Sequence, residues 1–238
     1  MLTLTRSAML AVLLMPMFAQ AAVQQADLSN LERELWQVRT NFHMYGLMDG
    51  DRVYLKTLGE RISGVNDALD GLAADTDPES PWLADLRRQW QGFDADPDRE
   101  PLRFDRVPTA MVEQLDTVED AELGDYDDVH ELLAHLQRIT AVYTAIVAVN
   151  EDLPGEAESE DDFRARLTAF DAHLEQVRLH HDGDTPVASA LKEAKVKWQF
   201  VRPSLVRFGG DAVPFLVYRY SNRIGADLEA AITPAATP

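Results

Sequence analysis

Apolar residues recur at intervals of three and four along almost the whole chain, and that spacing constrains the fold more than any other feature. The widest stripe is Val129, Leu132, Leu133, Leu136, Ile139, Tyr143, Ile146 and Val147. A period near 3.6 marks one face of an α-helix, and a stripe this broad marks a helix with neighbours on several sides. It predicts a central helix near 128–151.

The same spacing predicts the other helices. Leu31, Leu35, Val38, Phe42 and Tyr45 form one series, with Ser29 and Glu32 read as a capping box at its start. After Asp49-Gly50-Asp51 a second series runs through Leu55, Leu58, Ile62, Val65, Leu69 and Leu72, which gives an antiparallel hairpin. Ser80-Pro81 starts a third helix carrying Leu83, Leu86 and Trp90, which ends near Gly92. The segment DADPDREPLRFDRVP, residues 94–108, has three prolines and reads as a linker, with a short helix after it at 109–122. Ser159 caps a helix bearing Phe163, Leu167, Phe170, Leu174 and Val177. Thr185-Pro186 opens the next, Pro203 ends it, and Gly209-Gly210 turns the chain into a last helix with Val217, Tyr220, Ile224 and Leu228.

The expected fold is therefore all-α, an up-and-down helical bundle of about seven to eight helices with room for two sub-bundles. The expected organisation is a signal peptide at 1–21, a helical hairpin plus third helix at 22–93 and the linker at 94–108. A C-terminal bundle at 109–232 and a frayed tail at 233–238 complete it.

The first residues bear on location. One positive charge, Arg6, precedes an apolar run from Ala8 to Ala19 and then Ala19-Gln20-Ala21. That is the pattern of a secretory signal peptide cleaved after Ala21, and the run is short for a membrane span. A periplasmic or secreted location is expected, with no membrane span after cleavage. The chain has no cysteine, so neither disulfides nor a thiol-attached lipid are available, and stability rests on packing.

The formal net charge is -19, which disfavours nucleic acid as a partner. Only four of the 22 basic residues are lysines, and an acid-rich, lysine-poor surface suits salty surroundings or an arginine-biased coding sequence. The charge is uneven. Residues 113–162 hold sixteen acids and one base, Arg138, whereas residues 192–223 hold seven bases and two acids. One explanation is internal, with oppositely charged helices packed side by side. The other is a binding surface, in which Lys195, Arg202, Arg207, Arg219 and Arg223 supply cationic forks and Trp198 and Tyr218 an aromatic wall. The partner would be an envelope protein or an anionic small molecule.

Metal and catalytic signals are sparse. His173 and His180 lie seven apart, close to His181, Asp182 and Asp184, and zinc is the ion such residues would hold. Asp94, Asp96 and Asp98 begin like a calcium loop, but Arg99 stands where glycine is needed. In DVHELLAHL no Glu-x-x-His occurs, so a di-iron pattern is missing and His130, Glu131 and His135 read as solvated polar residues. No nucleophile elbow, phosphate loop or His-Glu-x-x-His is found, and no cofactor is required. The leading expectation is an exported, non-catalytic binding protein that uses its basic C-terminal helix pair. The alternatives are a metal-binding or metal-dependent bundle enzyme and a purely structural envelope protein.

Overall fold

The computed structural model describes residues 23–75, 80–93, 96–119 and 121–233. The expected signal peptide lies outside them, as does the expected tail beyond Thr233. The described residues are helical almost throughout: α1 (Gln25–Leu47), α2 (Arg52–Asp75), α3 (Pro81–Trp90), α4 (Pro101–Leu115), α5 (Asp127–Asn150), α6 (Glu160–His180), α7 (Thr185–Val201) and α8 (Pro214–Ile232). Two short 3-10 turns, Arg202–Ser204 and Gly209–Asp211, join α7 to α8. Among the described residues there are eight α-helices and no strand, so the fold is an all-α helical bundle, as the spacing predicts.

Turn chemistry sets several boundaries. Asp49 and Gly50 take positive φ, and the Asp51 carboxylate accepts from Val53 N–H at 2.9 Å, so α1 reverses into α2 within four residues. Ser159 accepts from Asp162 N–H at 3.2 Å and caps α6. Pro81, Pro186 and Pro214 each sit in a first turn, where no N–H is needed.

Two expectations are corrected. Ser29 does not cap α1, which begins four residues earlier; Ser29 is buried on the helix, and Glu32 instead accepts from Trp36 Nε1 at 2.9 Å. Much of the expected linker is α4, and the helix expected at 109–122 ends at Leu115. Pro101 opens α4 and Pro108 lies inside it, a position that ordinarily costs about 3 kcal/mol. Burial of Phe104, Met111 and Val112 against the first core outweighs that cost.

The core has two parts. One is built from α1 to α4 around Leu31, Leu35, Leu58, Val65, Leu86 and Phe104, so α4 belongs with the first half of the chain. The other is built from α5 to α8 around Leu133, Ile139, Phe163, Phe170, Leu191 and Ile224. They join along α1 and α5, the most extensive helix pair, where Ala141, Ala145 and Ala148 are fully buried. Small side chains let helix axes approach closely. By length and composition α5 could also cross a membrane, but most of that stretch is buried inside the fold.

Polar groups tie the halves together. Asp105 of α4 is 1% exposed and accepts from Arg39 Nε at 2.7 Å, His43 Nε2 at 3.0 Å and the backbone N–H of Glu156 at 2.6 Å. Arg39 also donates to the Glu156 carbonyl at 2.5 Å. This cluster pins α1, α4 and the loop before α6 at one point. Despite its histidine and aspartate it is a structural tie, since both are sealed in the interior and the pair contacts arginine and backbone.

Candidate functional site

Among the described residues, an open polar cleft of about 840 Å³ lies between α1, α5 and α6. Its walls repeat the helical period in polar residues. Glu131, His135 and Arg138 step along one face of α5, opposite Asp162, Arg166 and His173 of α6, while Ser29 and Glu32 of α1 close a third side. A second hollow of about 450 Å³ shares Arg138, Glu158 and Arg166 with the first and extends it toward Arg39 and Asp105.

Arg138 distinguishes this cleft. Its guanidinium stands 5.3 Å from the centre of the Trp36 ring, on whose face Arg39 also lies, at 5.8 Å. Its Nε is buried without a hydrogen-bond partner, and among the described residues Arg138 forms no ion pair. Burial, then the neighbouring Arg166, push its pKa down from the usual arginine value. Arg166 itself is satisfied by a two-pronged contact with Glu158, at 3.1 and 2.8 Å. Glu32, beside Arg138, is raised above the ordinary carboxylate range by burial, against the hydrogen bond from Trp36.

The histidines of the cleft are neutral near neutral pH. The His135 and His173 rings lie 5.8 Å apart, and His135 packs edge-on against Phe170. Burial, then His173, bring His135 down to about 4, and burial also lowers His173. The cleft thus presents one unpaired cation, neutral imidazole donors and acceptors, and a rim of carboxylates.

The residues expected from the sequence fall in three places. Lys195 donates to Glu175 at 2.6 Å and Arg202 to Asp171 at 2.8 Å, so both face α6. Hydrogen bonds from Arg178 and then Lys195 hold the Glu175 carboxyl down at about 2. Trp198 is not a ligand wall: it is 3% exposed, packs at a tilt against Phe170 and donates to Asp171 at 2.6 Å. Tyr218 turns the other way and donates to Asn41 of α1 at 3.0 Å. Arg207, Arg219 and Arg223 are exposed, with no ion pair among the described residues. Lys195 and Arg202 on one side and Tyr218 on the other therefore meet different neighbours and do not form one wall.

The expected metal set also divides. His180 and His181 do converge, but on Asp128 of α5, at 2.7 and 2.8 Å. His173 belongs to the cleft, Asp184 accepts from the Tyr126 hydroxyl at 2.9 Å, and Asp182 is exposed. Of the calcium-like aspartates, Asp94 lies outside the described residues and Asp98 lines an apolar hollow with Phe42, Pro97 and Leu153.

Arg138, Glu32, Trp36 and Asp128 were not among the residues the sequence pointed to. One signal for Arg138 was present: it is the single base in a run of sixteen acids. Comparison with known proteins gives no match, whether to a family model, to a curated protein or to a solved structure.

Proposed function

We propose that the chain is an exported, non-catalytic binding protein whose cleft between α1, α5 and α6 holds a small molecule bearing an anionic group. The observation that supports this reading is Arg138, a guanidinium with a buried, unpartnered Nε in a cleft of about 840 Å³. A buried donor without a partner costs about 1–3 kcal/mol, so a ligand carboxylate or phosphate that satisfied it would gain a charge-assisted hydrogen bond. Trp36 lies 5.3 Å from the guanidinium and offers it a cation–π contact, and the neutral His135 and His173 offer further polar contacts. The rim acids Glu131 and Asp162 favour a ligand that also carries a cationic or hydroxyl group. Export is supported by the Arg6, apolar run and Ala19-Gln20-Ala21 pattern.

The test is the mass of the chain purified from its own source, under native and then denaturing conditions. An extra small-molecule mass lost on denaturation, with the mature chain starting at Ala22, is the expected result. An Arg138→Met protein that retained the same ligand would reject the site.

A second reading places a partner protein on the α7–α8 surface. Phe200 is 58% exposed and its ring lies 4.8 Å from that of Tyr220, with Val196 also 62% exposed. Arg219 and Arg223 flank them without carboxylate partners among the described residues. An apolar pair framed by arginines suits an acidic protein surface.

A further inference from the structure

Three side chains from two helices converge where α6 ends beside the start of α5. Asp128 is the second residue of α5, His180 the last of α6, and His181 the residue that follows it. Each carboxylate oxygen of Asp128 takes one imidazole: Oδ2 lies 2.7 Å from His180 Nδ1, and Oδ1 lies 2.8 Å from His181 Nε2. One donor atom from each residue lies within 4.8 Å of the other two. Adjacent residues on a helix point about 100° apart, so two consecutive histidines ordinarily face different directions. Here the helix stops between them. His181 leaves it at φ -97 and ψ 20, and its ring folds inward and presents Nε2 while His180 presents Nδ1.

We infer that Asp128, His180 and His181 form a binding site for a single divalent transition-metal ion, with zinc the ion their donors suit. Two imidazoles and a carboxylate match zinc and its neighbours, whereas calcium and magnesium take nearly all-oxygen sets. Three protein ligands leave the fourth tetrahedral position for water or an external ligand.

Zinc bonds of about 2.0–2.1 Å put tetrahedral donors about 3.3 Å apart, so the ion takes the place of the bridging protons, each neutral imidazole then carrying its one proton on its other ring nitrogen, and the contacts widen by about half an ångström. The burial pattern allows that shift. The His180 side chain is 69% exposed and free to move, whereas that of His181 is 8% exposed and packs against the Tyr126 ring at 5.7 Å. Tyr126 is anchored in turn by its hydrogen bond to Asp184. The negative end of the α6 dipole and the net charge of -19 both draw a cation to this corner, against the positive end of α5. The competing account is a closed hydrogen-bonded trio in which both imidazoles donate to one carboxylate and no ion enters.

Calorimetric titration of the chelator-treated full chain with zinc chloride separates the two. The expected result is saturable binding of one ion per chain. The melting temperature should rise by about 5–10 °C when zinc exceeds its Kd a hundredfold. His180→Ala removes one exposed hydrogen bond to Asp128, so it should lower the metal-free melting temperature by no more than about 4 °C, and it should weaken zinc at least tenfold. Asp128→Asn should weaken it similarly, and Asp182→Ala should not. Cobalt(II) should give a tetrahedral visible absorption band that His180→Ala removes. Absence of one-to-one binding, equal affinity in His180→Ala, or a loss that instead follows His135→Ala or His173→Ala would overturn the assignment.

Discussion

Replacing Asp105 with asparagine should produce a large loss of stability. Three donors converge on its carboxylate: Arg39 Nε and His43 Nε2 on Oδ1, and the Glu156 N–H on Oδ2. Asparagine offers one oxygen, so its amide N–H₂ would confront the Glu156 N–H, and the Arg39 charge would lose its counter-ion in the interior. Breaking one side of a buried ion pair costs about 3–5 kcal/mol. For a chain of this size each kcal/mol shifts the melting temperature by about 2–4 °C, so Asp105→Asn should melt about 6–20 °C lower.

The pH dependence of the same pair supplies a second readout. The Asp105 carboxyl is held at about 2, below its ordinary 3.8, by His43 and Arg39 acting against burial. A depressed folded pKa contributes stability that is complete above 3.8 and is lost as pH falls from there toward 2; the difference is worth about 2 kcal/mol. His43 is likewise depressed, chiefly by burial, so its contribution is complete above 6.5 and begins to fall below it. The gap between wild type and Asp105→Asn should therefore narrow below about pH 4, followed by far-UV circular dichroism on heating. A substituted protein melting within 2 °C of wild type near neutral pH, or a gap that widens in acid, would refute the reasoning.

Two further predictions concern other parts of the molecule. A methyl group at Gly155 would lie 2.7 Å from His43 Cε1, and that ring is held by Asp105, so Gly155→Ala should cost about 1–3 kcal/mol in urea denaturation. Arg219 and Arg223 are exposed and form no ion pair among the described residues, so changing both to alanine should leave the melting temperature within about 2 °C. If α7–α8 docks an acidic protein, the same change should weaken that complex, which a pull-down against the wild-type chain would measure.

The helices were legible because each buries a stripe of large side chains, and a 3.6-residue period survives in the sequence whatever surrounds it. Their ends were less so. Ser29 looked like a cap because the obvious apolar series begins at Leu31, yet Leu28 is also buried and extends α1 backward. Residues 101–108 looked like linker because prolines weigh heavily in a sequence, whereas burial of Phe104, Met111 and Val112 carries the helix through Pro108.

The sites were harder to read because they are made of residues distant in sequence. His173 shares a helix face with His180 by spacing, but that face meets His135 of α5, while the turn at the end of α6 sends His180 and His181 to Asp128. Trp198 lies in an apolar stripe and is buried accordingly; its flanking cations Lys195 and Arg202 meet α6 carboxylates. The basic stretch is thus partly the electrostatic complement of its acidic neighbour. Arg138 stood out in sequence only as a lone base, and its setting, with Glu32 and Glu158 nearby but no ion pair among the described residues, becomes visible once α1 and α6 are in place.

The most direct test of the binding account compares wild type with Arg138→Met by thermal denaturation, alone and with a panel of small carboxylates and phosphates. Methionine fills similar space without a donor to satisfy, so removing the unpartnered Nε offsets the lost contact with Trp36. The account predicts that Arg138→Met alone melts within about 4 °C of wild type, while a ligand that raises the wild-type melting temperature has no effect on it. An Arg138→Met protein that melts far below wild type yet still responds to the same ligand would show that Arg138 serves the fold, and would contradict the claim.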